Sequence, residues 1–310
     1  MTTDPETPKY WSTPAIDPTL RAELDLIPDR QRVLEIGTAA GHVTRALAEK
    51  GCSVVGVEMD VKQAALAAPF CRRLVVGNIE ALDLDHEVPE VFDVVLCGDV
   101  LEHLQDPGAV LQKLLRRLAP SGYLVVSIPN IAHATVRLSL LGGRFAYTPC
   151  GLLDATHLRF FTLASIVGLF NDNGLEIRDL RRMRKGFFDS EIPITPSTIT
   201  PPSLVGRLVD DAEATTYQFV FRATPSGQKN TLADLKDPGF DQGEARTLFA
   251  ADAMRRAWIA LHDTPPRWDD GKCWARLALE TAPSVKAGLY WGASLLGGTL
   301  FRRSKVRSSG

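Results

Sequence analysis

The sequence predicts an α/β fold, with a doubly wound, mainly parallel sheet and helices on both of its faces. Short apolar runs alternate with amphipathic segments between residues 31 and 128, which is the pattern of consecutive βαβ units. The chain has 310 residues, of which 45% are hydrophobic. A chain of this length can bury one α/β core of about 200 residues and leave a smaller appendage.

Each element is placed by its apolar pattern and by the residues at its ends. An N-terminal arm, residues 1–30, contains a helix near 19–26. The predicted strands are 32–36, 53–58, 73–76, 92–97, 122–128, 175–181 and 217–223, and the predicted helices are 41–50, 61–68, 107–118, 131–141 and 162–172. Thr162 is a natural N-cap for the last of these helices, and Asn173-Gly174 is its stop signal.

The loop after the first strand is the strongest functional signal. Glu35-Ile-Gly37 and the following Thr-Ala-Ala-Gly41 end an apolar run and lead into an amphipathic segment. The two glycines allow turn dihedrals and a close approach of the backbone to a ligand. Because the spacing is not Gly-x-Gly-x-x-Gly, a pyrophosphate is the less favoured ligand. A second carboxylate, Glu58, ends the next strand, so the pattern predicts a nucleotide-cofactor site.

These motifs resemble those of class I S-adenosylmethionine (SAM)-dependent methyltransferases. The resemblance covers residues 31–224, because segments 92–103 and 122–130 are similar to the family's fourth strand with its turn and to its fifth strand. It implies a Rossmann-like, seven-stranded sheet whose antiparallel end comes from strands 175–181 and 217–223. It also implies SAM as the cofactor. The sequence thus predicts a methyltransferase domain at 31–224 and a helical C-terminal appendage at 225–310.

The resemblance also assigns cofactor contacts. It implies that Glu58 accepts hydrogen bonds from two ribose hydroxyls, that Met59 lies against the adenine, and that the Asn78 amide oxygen meets the adenine amino group. Asp99 is expected near the methionine part. The expected cofactor residues are Glu35, Gly37, Thr38, Gly41, Glu58, Met59, Asn78, Ile79, Cys97 and Asp99. Taken singly, Gly37, Gly41 or Glu58 is better explained by an ordinary strand-end turn, whereas together, in order, at the ends of successive strands, these residues favour the cofactor site.

Catalysis by such an enzyme requires a positioned oxygen nucleophile and a group that accepts its proton. His157 is the preferred base, with Asp154 as an orienting carboxylate, and His133 is a second candidate. The alternative is that His157 and Arg159 fasten their loop to the sheet. Asp99, Glu102 and His103 form a further group, similar to the metal site of ubiquinone-pathway O-methyltransferases. They either bind a divalent cation or order the turn after the fourth strand.

Two expected substrate-side insertions, 130–161 and 184–215, interrupt the domain. The first contains 154–162, which resembles methyltransferases of bacterial glycan and secondary-metabolite pathways. The expected reaction is O-methylation of a small metabolite, a sugar or a glycosylated natural product. The alternatives are N- or C-methylation of a similar metabolite, and a non-catalytic SAM-binding scaffold.

Composition and the C-terminal segments complete the sequence-based expectations. A net charge of −2 gives no case for nucleic acid, and the five cysteines have no Cys-x-x-Cys spacing. The N-terminus does not resemble a signal peptide, which favours a cytoplasmic location. Helices are expected near 244–261 and 273–281. The apolar segment 285–301, followed by basic residues, would contact an anionic membrane, mediate homodimer contacts or pack on the catalytic domain.

Overall fold

The computed structural model describes residues 17–194, 207–237, 239–262 and 267–281. The predicted apolar segment 285–301 lies outside these residues. The chain divides into two compact units. Unit 1 comprises Met1–Asn130, Thr156–Met183 and Gln218–Lys236, and unit 2 comprises Ile131–Ala155, Arg184–Tyr217 and Asp237–Gly310. Most of the two predicted insertions and most of the C-terminal appendage therefore belong to unit 2, whereas residues 156–161 of the first insertion belong to unit 1.

A seven-stranded mixed sheet has the order β3-β2-β1-β4-β5-β7-β6. The strands are β1 (Arg32–Ile36), β2 (Ser53–Glu58), β3 (Arg73–Val76), β4 (Phe92–Gly98), β5 (Leu118–Pro129), β6 (Leu175–Arg184) and β7 (Thr216–Pro225). The first five are parallel to their neighbours, and β7 runs antiparallel to β5. The predicted seven-stranded sheet with an antiparallel end is confirmed.

Among the described residues, eight of the nine helices named below were predicted, with differences mainly at their ends, and the short α4 was not predicted. They are α1 (Pro18–Asp25), α2 (His42–Glu49), α3 (Val61–Ala67), α4 (Leu84–Glu87), α5 (Pro107–Leu115), α6 (Ala134–Leu141), α7 (Leu163–Asp172), α8 (Gln242–His262) and α9 (Trp268–Thr281). The helix predicted from residue 131 begins only at Ala134, because His133 is its N-cap. Thr162 caps α7 as predicted, in a reciprocal capping box with Ser165.

Both faces of the sheet in unit 1 are buried, as expected for parallel strands. Alternate residues of the central strands point to opposite faces. One face carries the larger core, built on residues such as Leu34, Val95 and Val126. The other face packs against Ala22 of α1 and a smaller apolar cluster. At the carboxyl end of this second face, the positions that continue the apolar residues are Glu35, Glu58, Gly98 and Ser127.

Unit 2 has its own aromatic cluster, in which α8 and α9 pack on residues just after β6. Phe249 of α8 lies 5.2 Å from Phe187 and 5.1 Å from Phe188, measured between ring centroids. Trp274 of α9 lies 4.9 Å from Phe188. The Arg256 guanidinium stacks over the Phe188 ring at 5.0 Å. Within the described ranges, no helix combines the length and hydropathy needed to cross a membrane.

Candidate functional site

The loop between β1 and α2 has a backbone that only particular residues tolerate. Gly37 and Gly41 have φ of +75° and +82°, and Ala39 between them has φ of 45°. A Cβ on Gly37 would lie 2.9 Å from Val100 Cγ2, and one on Gly41 would lie 2.7 Å from Ala67 Cα. Both positions therefore require glycine for conformation and for space. The loop keeps its backbone open at the carboxyl edge of the sheet.

Glu58 is fixed at the end of β2 by two backbone donors. Its Oε2 accepts a hydrogen bond from Ala39 N at 2.8 Å, and its Oε1 accepts one from Asp60 N at 2.9 Å. An ionised carboxylate accepts about four hydrogen bonds, so each oxygen keeps a lone pair for a ligand hydroxyl. The next side chain, Met59, is 69% exposed although it is apolar. This arrangement fits a ribose on Glu58 and a flat base on Met59.

Two residues after β3 extend the expected adenine side. Asn78 is exposed, and its Oδ1 accepts a hydrogen bond from Glu80 N at 2.9 Å. This local bond holds the amide in place and leaves a second lone pair on the oxygen. Ile79 is buried in the larger core, so only its backbone is available to a ligand. The same holds for Cys97 at the end of β4, where burial raises the thiol pKa.

Buried polar atoms without partners lie beneath the loop. Glu35 Oε2 and Thr38 Oγ1 have no hydrogen-bond partner among the described residues. Glu35 is 2% exposed, and burial raises its pKa to about 8. Buried polar groups normally have partners, so such atoms mark a place for a ligand with donors. Together with the glycine loop and Glu58, they fit the hydroxyl and ammonium groups of the expected SAM cofactor.

Asp99 is held by neighbours from β5 and β7. It has φ of 53°, and its Oδ1 accepts hydrogen bonds from Ser127 Oγ at 2.8 Å and from Gln218 Nε2. Glu23 of α1 lies beside it and was not predicted from the sequence. Glu23 is 3% exposed, and burial, followed by the Asp99 charge, raises its pKa to about 8. The sequence signal that could have identified Glu23 is that it is a carboxylate on the buried face of the predicted helix 19–26.

The loop containing His157 is tied to the turn after β4. His157 is buried and packs edge-on against His103, with ring centroids 4.8 Å apart. His103 Nδ1 lies 3.1 Å from Thr156 O. The backbone N–H groups of Leu158 and Arg159 donate to Glu102 O at 2.8 and 2.9 Å. The predicted fastening of this loop is therefore present, and it places His157 at the carboxyl edge of β4.

Glu102, His103 and His157 form a group that could hold a metal ion. One ligand atom from each lies within 4.8 Å of the others. Asp99, the third member of the group predicted from sequence, does not belong to it. Two imidazoles and a carboxylate are the donors of many zinc sites, whereas Mg²⁺ prefers oxygen ligands and retains several waters. The donor set therefore suits the predicted Mg²⁺ poorly.

The other two predicted catalytic residues, His133 and Asp154, belong to unit 2. His133 is fully buried as the N-cap of α6, and its Nδ1 lies 2.9 Å from Thr135 Oγ1. Burial, aided by the Lys185 charge, lowers its pKa to about 4. Asp154 is also buried, and its N–H donates to Gly151 O. His133 thus has a capping role that the sequence did not reveal.

Comparison with known proteins adds a family match. Residues 10–180 match a family model described as a methyltransferase domain. The ubiquinone biosynthesis O-methyltransferase of Pseudomonas syringae pv. tomato is 31% identical over 159 residues, which are 48% of this chain and 66% of that protein. The protein of the same name from Pseudomonas aeruginosa PAO1 has the same identity and coverage. The chain thus spans just under two thirds of the length of these curated relatives.

Solved structures are also similar. The CcbJ methyltransferase of Streptomyces caelestis matches 67% of this chain and 89% of its own, with a TM-score of 0.45 and 18% identity. The magnesium protoporphyrin IX methyltransferase of Synechocystis PCC 6803, solved with bound S-adenosylhomocysteine (SAH), matches 67% of this chain and 78% of its own. Its TM-score is 0.44, and its identity is 18%.

Proposed function

Because the chain belongs to the class I SAM-dependent methyltransferases, we propose that it transfers the methyl group of SAM to a hydroxyl of a small metabolite. The observation that best supports SAM binding is the buried Glu58 carboxylate, which Ala39 N and Asp60 N orient beside the glycine loop. Transfer to a hydroxyl group is supported by the names of the curated relatives, which are O-methyltransferases.

When bound, SAM supplies a methyl group that its sulfonium already activates. The chain's own task is to hold an acceptor oxygen in line, exclude water and take up the hydroxyl proton. Glu58, Met59 and Asn78 hold the adenosine part. The backbone at Gly37 and the buried carboxylate of Glu35 lie where the amino-acid part would be bound. No metal ion is required for these roles.

His157 is the proposed base. It follows Thr156 on a loop that is hydrogen-bonded to the turn after β4, at the edge of the sheet that carries the cofactor residues. A rigid mounting is what a proton acceptor needs, because proton transfer depends on a fixed short distance. His133 is the weaker alternative, since its Nδ1 already faces Thr135 and its low pKa disfavours uptake of a proton. Asp154, the orienting carboxylate expected from the sequence, belongs to unit 2 and has no part in this proposal.

The acceptor is proposed to be an aromatic hydroxyl first and a sugar hydroxyl second. The curated relatives are named for ubiquinone biosynthesis, which favours a ring hydroxyl. A phenol, whose pKa in tyrosine is about 10, is also easier to deprotonate with an imidazole than an alcohol is. The sugar or glycosylated natural product is supported by segment 154–162, which resembles methyltransferases of glycan and secondary-metabolite pathways.

Titration with SAH followed by an acceptor screen tests the proposal. We expect calorimetry to show that SAH binds. We also expect incubation with SAM and a panel of catechols, phenols, sugars and amines to give a product about 14 mass units heavier than its acceptor, because a methyl group replaces a hydrogen atom. Methylated oxygen supports the proposal, and methylated nitrogen or carbon replaces it by the alternative reaction. Binding of SAH without turnover of any acceptor class would favour a SAM-binding scaffold.

A further inference from the structure

Four carboxylates lie at the carboxyl ends of the central strands. Glu35 and Glu58 belong to β1 and β2, Asp99 follows β4, and Glu23 of α1 lies against Gly98 at the end of β4. Their charges act on one another, because Asp99 and Glu35 both raise the pKa of Glu23 in addition to its burial. Buried negative charges at short range are unfavourable unless a cation or a proton offsets them.

Lysine and arginine side chains do not provide this cation in the described part of the chain, although the charge of His103 acts on Asp99. None of its Lys or Arg side chains forms an ion pair with Glu23, Glu35, Glu58 or Asp99. Glu35 Oε2 is buried and has no hydrogen-bond partner among the described residues. Glu35 in turn faces Glu58, whose charge contributes to its raised pKa. This cluster therefore has no Lys or Arg partner in the described part of the chain, and Glu35 Oε2 has no donor there, although Ser127 and Gln218 donate to Asp99.

The position of Glu23 is well fixed. Thr19 of the same helix donates from its Oγ1 to Gln218 Oε1 at 2.8 Å, which ties α1 to the sheet. A Cβ on Gly98, the last residue of β4, would lie 2.8 Å from Glu23 Oε1. The carboxylate thus occupies space that a side chain on β4 would otherwise fill. The Ser127 hydroxyl of β5 also stabilises the ionised form of Glu23.

We propose that Glu23 binds the α-ammonium group of the amino-acid part of the cofactor. The assignment rests on the proposed SAM-dependent function and adds a residue of α1 to the cofactor site. An ammonium group has three donors and one positive charge. It therefore supplies a positive charge to the cluster of Glu23, Glu35 and Asp99, and donors for a carboxylate oxygen such as Glu35 Oε2 that has none among the described residues. Glu23 is a binding residue here, and no bond of the substrate is made or broken on it.

The same geometry predicts a proton-linked binding step. The groups that face Glu23 are Asp99 after β4, the Cys97 thiol of β4, Glu35 on β1, Asp17 at the start of α1 and the Ser127 hydroxyl. With the ligand absent, this environment keeps the Glu23 carboxyl largely protonated at pH 7. An ammonium ligand favours the carboxylate, so binding releases the proton of Glu23 to solvent.

The test compares two ligands on the wild type, Glu23→Gln and Asp25→Asn. SAH carries the amino-acid part, and 5′-methylthioadenosine has the same nucleoside without it. We expect Glu23→Gln to weaken SAH binding about 10- to 100-fold, the loss typical of a charge-assisted hydrogen bond. Its affinity for methylthioadenosine should stay within about twofold of the wild type. Asp25→Asn removes an exposed carboxylate of the same helix, paired with Arg181, and should change neither affinity.

Proton release gives a second readout. Calorimetry of SAH binding at pH 7 in buffers of different ionisation enthalpy should show roughly one proton fewer released by Glu23→Gln than by the wild type. The proposal is overturned if Glu23→Gln binds SAH like the wild type, or weakens both ligands equally. Failure of the wild type to bind either ligand would instead reject the cofactor assignment itself. Thermal unfolding of each variant shows whether a loss of binding reflects a loss of folding.

Discussion

Glu58 accepts a hydrogen bond from the backbone N–H of Ala39 at 2.8 Å, which joins the end of β2 to the loop after β1. The side chain expected to bind the ribose therefore also holds the loop that borders the cofactor. Ala39 has φ of 45°, a conformation that costs free energy for a residue other than glycine. The hydrogen bond from its N–H offsets part of this cost and keeps the loop in one conformation.

Replacing Glu58 by Gln should weaken SAH binding about 10- to 100-fold. The amide keeps one acceptor oxygen but loses the charge, and a hydrogen bond to a charged group contributes about 1.5–3 kcal/mol. Titration calorimetry measures the effect. Glu90→Gln, on a partly exposed residue paired with Arg72 away from this edge, is the matched control. Wild-type affinity in Glu58→Gln would contradict the assignment of the ribose to this carboxylate.

Replacing His157 by Gln should lower turnover by roughly 10²- to 10⁴-fold while leaving SAH affinity unchanged, because a positioned base contributes about that much to the rate. Once an acceptor is known, single-turnover kinetics measure the methyl-transfer step. His86→Gln is the control, since that side chain is exposed. If His157→Gln lowers the melting temperature and spares the rate, His157 only fastens its loop.

Activity should not depend on Mg²⁺. The donors gathered near the turn after β4 are Glu102, His103 and His157, and two imidazoles are poor ligands for Mg²⁺. Turnover measured after EDTA treatment, with and without added Mg²⁺, should be the same. Loss of activity in EDTA that Mg²⁺ restores would show that a magnesium site operates here. Glu102→Gln would then be expected to abolish the Mg²⁺ response.

Features that depend on neighbouring residues could be predicted from the sequence. The bounds of β1, β2 and β3 agree with the predicted strands, because each is a short apolar run bounded by polar residues. The glycine loop and Glu58 could be predicted because they lie at the ends of two of these apolar runs, β1 and β2. β5 begins at Leu118, four residues before the predicted start at 122. The predicted start is too late because Pro120 and Gly122 resemble a turn in the sequence. The pairing with β4 is irregular there, and a bulge accommodates them.

Features that depend on tertiary contacts could not be predicted. The edge-on pair of His103 and His157 brings together two segments that are far apart in the chain. Glu23 acquires its raised pKa from burial and from Asp99, neither of which is visible in the sequence of α1. The four-residue helix α4 is too short to produce a helical period. The N-cap role of His133 depends on where α6 starts, which the apolar pattern did not fix.

Stability should fall as the pH drops below about 6.5, and His133 should account for part of this loss. Burial lowers the pKa of His133 to about 4 in the folded chain, whereas the unfolded side chain titrates near its ordinary value. The unfolded state therefore binds more protons between these two pH values, and stability is lost as the pH falls. The loss is at most about 3 kcal/mol. Chemical denaturation of wild type and His133→Asn from pH 7 to pH 4 measures it, and identical slopes would exclude His133 as the cause.

Stability of the ligand-free protein should also fall as the pH rises from about 4.5 to about 8, and Glu35 should be a main cause. Burial raises the pKa of Glu35 to about 8, so the folded state retains a proton that the unfolded state has already lost. Because the folded state binds more protons over this range, its stabilisation is present at low pH and disappears as the pH passes the folded pKa.

Glu35→Gln removes the ionisation and keeps the shape of the side chain. It should therefore be more stable than the wild type at pH 8.5 and should show a flatter pH profile. Denaturant midpoints at pH 5 and pH 8.5 measure this difference. Glu49→Gln, on the exposed side of α2 and paired with Arg45, is the control. A parallel pH profile for wild type and Glu35→Gln would show that the pKa of Glu35 is the same in the folded and unfolded states, which would contradict this prediction.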